Sequence, residues 1–480
     1  MDDLIKKAYD PDWFRLHGHR LVDSLADYLE TCQNNPAMPV IPYYRPDEAL
    51  SLWESDLAQT PTEDIDGFYK ALIEQSIHTH HPKYLGHQVS PVFPLAALSD
   101  FLGSFLDCGV GVYEMGSASV ALERLIIKTL AERLGMGADA DGFLTSGGTL
   151  GNLTALVAAR HCQAGYDLWN CGYAQGAQMA FMVSEEAHYS ATKAVKIMGL
   201  GEQGIIKLPV NQAFQIDVCA LSRRYENALA SGKKVVALVA NACSTAVGAY
   251  DPLVSLADFC KTNNLWFHVD AAHGGAAIFS DKYRHLLDGV AQADSVIIDF
   301  HKMMMTPALA TAVIFKRAAN SYMTFEQSAS YLWDNPQEHE WFNLGRRAFE
   351  CTKRMMSVKI YSLLRTFGPR LFAQTVTRLY DLGAFFGKMI DNAPDFELAV
   401  KPQANIVCFR YLQDNLTDSQ LDQLNADVRQ KIIEQGAYHI VQTRLRQKLF
   451  LRSAIMNPYT QESDLTNLLD HVRTVASSLK

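Results

Sequence analysis

Lys302 closes the stretch Asp299-Phe300-His301-Lys302, which follows the apolar run 295–298 and precedes Met303-Met304-Met305. Lysine is seldom buried unless it is paired or chemically used. A desolvated lysine amine gives up its proton readily and attacks carbonyl carbon. The plainer reading is a lysine at a strand end that reaches solvent. Three other apolar runs end in a similar way. Residues 235–240 lead into Asn241-Ala242-Cys243-Ser244-Thr245, and 266–269 into Asp270-Ala271-Ala272-His273. Residues 180–183 lead into Ser184-Glu185-Glu186-Ala187-His188. Ligands of open α/β sheets bind beyond the carboxyl ends of the strands, so four such ends predict one shared site. Asp270 reads either as a helix N-cap or as a carboxylate that fixes a cationic heterocycle. Roughly one βαβ unit of about thirty residues separates it from Lys302, which predicts neighbouring strands.

A second feature is the turn Thr145-Ser146-Gly147-Gly148-Thr149. Small residues before a helix expose backbone N–H groups, and the helix N-terminus favours an anion. A phosphate fits there, although the Gly-Lys-Ser/Thr of a Walker loop is absent. The histidines His78, His80, His81 and His87 lack the spacing of a zinc site and have no interleaved cysteine or carboxylate. They read as helix-end or pocket-lining residues, and no metal is expected.

The elements that must position these groups follow from periodicity. Helical spacing marks 12–31, 92–107, 118–134 and a segment opening at the Gly147-Gly148 turn and running to about residue 160. The prolines between Pro36 and Pro46 predict an extended arm. Strands are predicted at 180–183, 205–208, 235–240, 266–269, 295–298 and 312–315, with helical patterns between most of them. Alternation of this kind argues for βαβ units and a mainly parallel sheet covered on both faces. Residues 319–345 form a long polar and aromatic loop, and loops of that length are usually functional. A helix is predicted over 348–367. Strands at 396–400, 406–410 and 450–453, with helices near 418–435 and at the C-terminus, predict a smaller α/β domain.

Composition narrows the function classes. With 480 residues, 48% hydrophobic and 20% charged, the chain is long and apolar enough for several domains around a large core. The net charge of -9 and the lack of a basic run argue against nucleic acid. No apolar stretch reaches the length of a membrane span, and the acidic start Met1-Asp2-Asp3 is unlike a signal peptide. Nine irregularly spaced cysteines suit reduced thiols and a cytoplasmic location.

Taken together, His268-Val269-Asp270-Ala271-Ala272, His301-Lys302 and Leu344-Gly345-Arg346-Arg347 resemble the pyridoxal-phosphate-dependent group II amino-acid decarboxylases. This family includes aromatic-amino-acid, glutamate, cysteine-sulfinate and diaminobutyrate decarboxylases. The resemblance implies a type I fold: a mainly parallel seven-stranded sheet with helices on both faces and a small C-terminal α/β domain. It divides the chain into an N-terminal helical segment 1–78, a large cofactor domain 79–346 and a small domain 347–480. It implies pyridoxal 5'-phosphate as cofactor, an amino-acid substrate and a homodimer. Lys302 matches the Schiff-base lysine, Asp270 the partner of the ring nitrogen, and His188 and Ala272 the residues against the two ring faces. Gly147, Gly148 and Thr149 match the phosphate turn, and His301 a phosphate or substrate contact. Tyr331 matches a loop tyrosine that returns a proton to Cα, and His87 and Arg452 match substrate-side residues.

Three positions depart from the family pattern. Ser244, expected to bind the cofactor, stands for a common threonine, Asp299 for a common asparagine, and Met303 for the bulky residue that often follows the lysine in aromatic decarboxylases. Met303 weakens a transfer of aromatic specificity, and the polar pair His87-Gln88 favours a polar or charged substrate, acidic or diamino, over an aromatic one. Aromatic decarboxylation, a carbon–carbon lyase, an aldehyde synthase or a silent binding protein are the alternatives.

Overall fold

The computed structural model describes the chain except residues 1, 59–63, 175, 177, 326–339 and 480. Its contacts gather into two compact units. One comprises Met1–His87, Lys388–Ala399 and Cys408–Lys480; the other comprises Gln88–Gly387 and Val400–Val407.

The second unit is built on seven strands. These are β1 (Asp141–Thr145), β2 (Met179–Ser184), β3 (Ile205–Leu208), β4 (Lys234–Asn241), β5 (Trp266–Asp270), β6 (Ser295–Asp299) and β7 (Thr311–Phe315). They lie in the order β1-β7-β6-β5-β4-β2-β3. The run β3-β2-β4-β5-β6 is parallel, and β7 is antiparallel to both β6 and β1. Strands β1, β2, β5, β6 and β7 are buried along their whole length. Each valine, isoleucine or phenylalanine so buried contributes about 1.5–3 kcal/mol, which makes the sheet the stable frame of the unit. The helix Gly148–Ala164 packs on β4, β5, β6 and β7, and the helices Leu221–Ala230 and Leu253–Thr262 pack on β4. Register places Asn241 opposite Asp270, so the carboxyl ends of β4 and β5 coincide. β5 and β6 are parallel neighbours, the adjacency expected for Asp270 and Lys302.

β1 was not anticipated. Gly142 weakens the strand signal of Asp141–Thr145, but a Cβ there would collide with the Val313 carbonyl of β7, so only glycine fits. The helix expected over 348–367 begins at Met356. Before it, two buried cations hold the chain to β1 and its neighbouring helix. Arg347 donates to Asp141 and to the Gly142 carbonyl, and Lys353 pairs with Glu123. Glu123 in turn accepts the Leu144 N–H at 2.8 Å.

The first unit carries a four-stranded sheet of β8 (Phe396–Leu398), β9 (Ile406–Tyr411), β10 (Val441–Leu445) and β11 (Lys448–Ala454), in the order β10-β11-β9-β8. β10 escapes prediction because alternate residues are polar and exposed. Its hairpin to β11 turns through Arg446 and Gln447, both at positive φ, as a two-residue hairpin turn demands. The helix Asp418–Gln435 is fixed by a capping box between Thr417 and Gln420. The helix Pro11–Asn34 bears out the predicted 12–31 helix, and the helices Pro46–Leu57 and Ile65–Gln75 follow it. Among the described residues, no helix is long and apolar enough to cross a membrane.

Candidate active site

Beyond the carboxyl ends of β4, β5 and β6 lies a cavity of about 410 Å³. That size suits a small-molecule site, for which about 300–1,000 Å³ is usual. Gly147, Gly148 and Thr149 line one side; His188, Asp270, Ala272, His301 and Lys302 line the rest. The structure therefore brings together eight of the residues singled out by sequence. A larger groove of about 1040 Å³ includes Lys261, Trp266, Asp294 and Lys316. It has volume but none of the strand-end groups that mark the smaller cavity.

Each wall has a local cause. Gly147 sits at φ +101°, a conformation that side chains other than glycine rarely adopt, and turns the chain into the helix Gly148–Ala164. That helix has no side-chain cap, so its first N–H groups remain available to an anion. Asp270 ends β5 and is 7% exposed. Its Oδ1 accepts the Ala272 N–H at 3.2 Å, and its Oδ2 accepts the Asn152 side-chain amide at 2.8 Å. His188 caps the helix Tyr189–Ile197, with Nδ1 2.7 Å from Ser190 Oγ. Burial lowers the His188 pKa, while the Asp270 carboxylate acts in the opposite sense.

Lys302 Nζ lies 3.2 Å from Asp299 Oδ2. Asp299 is 3% exposed in its side chain; it also accepts the Thr311 hydroxyl at 2.5 Å and stands 3.5 Å from His301 Nε2. The lysine is thus a partly buried amine, 21% exposed, held by a carboxylate at the edge of the cavity. The His301 ring is oriented from its other nitrogen, 3.1 Å from the Ala310 carbonyl. An amine of this kind can bond a carbonyl carbon. The opposing carboxylate can hold a protonated heterocycle, and the helix terminus can hold a phosphate.

Ser244 departs from expectation. Its hydroxyl accepts the Ala249 N–H within a turn, and its neighbours Cys243 and Thr245 line the cavity instead. Which of consecutive residues faces the cavity depends on the turn after β4, which composition does not disclose. Tyr331 lies outside the described residues. His87 and Arg452 belong to the other unit, where Arg452 Nη1 is 3.4 Å from the Gly86 carbonyl. Desolvation lowers the His87 pKa, and the Arg452 and Arg429 charges lower it further. Sequence reasoning missed Asn152 and Ser190, both lining the cavity. Asn152 was detectable in part: it follows Gly148 by four residues, one helical turn onward on the same face.

The pyridoxal-dependent decarboxylase conserved domain matches residues 46–412. An aromatic-L-amino-acid decarboxylase of Bacillus atrophaeus is 26% identical over 464 residues, covering 96% of this chain and 95% of that protein. An aspartate 1-decarboxylase of Aliivibrio fischeri is 30% identical over 475 residues, covering 88% and 85%. The crystal structure of mouse CSAD in apo form superposes with a TM-score of 0.89 at 24% identity, covering 97% of this chain and 99% of that one.

Proposed function

The chain belongs to the pyridoxal-dependent decarboxylase family, and we propose that it removes the α-carboxylate of an L-amino acid with a polar or charged side chain. The single observation that carries this reading is Lys302, a partly buried amine in the same cavity as the buried Asp270 carboxylate and an uncapped helix N-terminus. These residues fit pyridoxal 5'-phosphate: an amine for the carbonyl, an acid for the ring nitrogen and a glycine turn for the phosphate. Bound there, the cofactor supplies a sink for the electron pair left at Cα when carbon dioxide departs.

The residues of the chain divide the remaining work. Lys302 holds the cofactor through Nζ. Asp270 keeps a proton on the ring nitrogen, and that proton deepens the sink. His188 and Ala272 confine the ring, while Gly147, Gly148 and Thr149 receive the phosphate. Thr245, which lines the cavity, takes the place considered for Ser244. His301 borders the lysine. Tyr331, outside the described residues, returns a proton to Cα from its hydroxyl.

Substrate preference is the finer part of the proposal. Support comes from the charged neighbourhood of His87, with Arg452 and Arg429, and from buried Met303 in place of a bulky aromatic. The aspartate decarboxylase relative is consistent with it. The aromatic decarboxylase relative keeps an aromatic substrate as the second reading. We further place 79–346 as the cofactor domain and the protein as a homodimer; nine free cysteines support a cytoplasmic location.

A panel of amino acids assayed for carbon dioxide tests the whole reading. Aspartate, glutamate, cysteine sulfinate or 2,4-diaminobutyrate is expected to be turned over ahead of tyrosine and tryptophan. Lys302→Ala is expected to lose both the visible absorbance of bound cofactor and all turnover. Selective turnover of tyrosine or tryptophan refutes the preference. Aldehyde and ammonia in place of amine point to an aldehyde synthase, and a coloured, active Lys302→Ala protein overturns the assignment.

A further inference from the structure

One buried amide ties together two walls of the cavity. Asn152 is 1% exposed, and both polar atoms of its side chain are engaged. Nδ2 lies 2.8 Å from Asp270 Oδ2 and 2.8 Å from Ser190 Oγ, while Oδ1 lies 2.8 Å from His268 Nε2. His268 Nδ1 is 2.8 Å from Ser295 Oγ, which receives the Trp266 indole N–H at 2.9 Å.

Donor and acceptor chemistry fixes the direction of every link. A carboxylate only accepts, so Asp270 must face the amide NH₂ of Asn152. The Asn152 oxygen therefore faces His268, whose Nε2 must carry a proton. Full burial holds His268 neutral, with its pKa lowered to about 4, so its Nδ1 is bare and takes the Ser295 hydroxyl proton. Ser190 Oγ accepts the second N–H of Asn152 and, because the Ser190 backbone N–H marks His188 Nδ1 as an acceptor, the Ser190 O–H donates to that nitrogen. The Ser190 backbone N–H points to the same nitrogen at 3.4 Å. Two donors on Nδ1 leave the proton of neutral His188 on Nε2.

We propose that Asn152 is a positioning residue that aims the Asp270 carboxylate and, through Ser190, sets the tautomer of His188. The cavity wall then carries an N–H rather than a bare nitrogen on the outer side of that ring. This rests on the decarboxylase reading for its consequence in turnover, but the hydrogen-bond order does not depend on that reading.

The test is ¹⁵N NMR of histidine-labelled full-length protein, with pyridoxal phosphate bound and after its removal. His188→Gln identifies the signal. In the wild type the His188 signals should show protonated Nε2 and bare Nδ1. Asn152→Asp replaces a donor by an acceptor. The Ser190 hydroxyl should then turn toward the new carboxylate, and His188 should shift its proton to Nδ1. Ser190→Ala should leave a mixture of both tautomers, and it carries the test if Asn152→Asp does not fold. In steady-state assays the loss should be about ten- to hundredfold, the range seen when residues that orient metal ligands are removed. The loss should fall on kcat more than on KM, and adding Ser190→Ala to Asn152→Asp should cost little more. Unchanged His188 signals in both variants overturn the proposal, even in an active decarboxylase. A tautomer that responds in a protein that decarboxylates no amino acid supports the proposal and overturns the functional reading.

Discussion

At the scale of single residues, Asp299 is the carboxylate paired with the cavity amine. Its carboxylate holds the Lys302 amine at 3.2 Å, and it would lie 3.3 Å from a Cβ on Gly148, in the turn proposed to receive the phosphate. Two effects of Asp299→Asn point the same way. The lysine loses its ion-pair partner, so Nζ is no longer held away from the cofactor carbonyl. A like charge also leaves the neighbourhood of the phosphate. Pyridoxal phosphate is therefore expected to bind tighter, on the order of tenfold, in a fluorescence titration. Weaker binding by the variant would show that the carboxylate helps assemble the site rather than opposing the phosphate. The same residues show what sequence can disclose. Lys302, Asp270, His188 and the glycine turn were readable because each ends an apolar run or opens a helix, which are local signals. Asn152 was readable only as a residue on the face of Gly148, because its bonds to Ser190 and Asp270 reach partners 38 and 118 positions away, and Ser190 takes its meaning from that same amide.

At the scale of elements, the segment carrying four histidines proves to be woven into the first unit. The Leu85 N–H donates to the His439 carbonyl at 2.9 Å, and the Ala454 N–H donates to the Leu85 carbonyl at 2.8 Å. His78 Nδ1 lies 3.2 Å from the Tyr28 hydroxyl, and His439 stacks on Tyr84 at 5.1 Å. Among the described residues, no three histidine, cysteine or acidic side chains converge as a metal site would require. Strands that were apolar throughout could be read directly, whereas this segment could not, because its histidines have no period. Burial lowers His81 and His439 to about 4 from the ordinary 6.5. Below pH 6.5 the unfolded chain takes up these two protons while the folded chain refuses them until about pH 4. Stability present above pH 6.5 is therefore lost as pH falls through that window, by about 2 kcal/mol for each group at pH 5. Thermal midpoints should fall between pH 7 and pH 5. His439→Phe keeps a ring on Tyr84 without a titrating group and should flatten the slope; an unchanged slope would remove His439 from this account.

At the scale of the whole molecule, the proposed homodimer predicts that an exposed apolar surface is covered by a second copy of the chain. The helix Pro94–Leu106 was legible as a helix from its spacing, but its outward apolar face was not legible as a contact surface. Leu98, Phe101, Leu102 and Phe105 are 48–64% exposed and recur at intervals of three, one and three residues, the stripe of a helix that packs on something. The helix Asp3–Ala8 buries none of its residues, and Leu4 and Ile5 are exposed as well. Scattered apolar residues on a surface are ordinary, but a continuous stripe is the mark of an interface. A like surface on an identical chain is the simplest complement, because a two-fold axis makes one patch serve both subunits. Sedimentation equilibrium at micromolar concentration should therefore give twice the 53.5 kDa of the chain. Phe101→Glu combined with Phe105→Glu places like charges across such an axis and should shift the mass toward the monomer, with folding unchanged by circular dichroism. A wild-type monomer removes the homodimer, and a dimer that survives both glutamates moves its interface away from this helix.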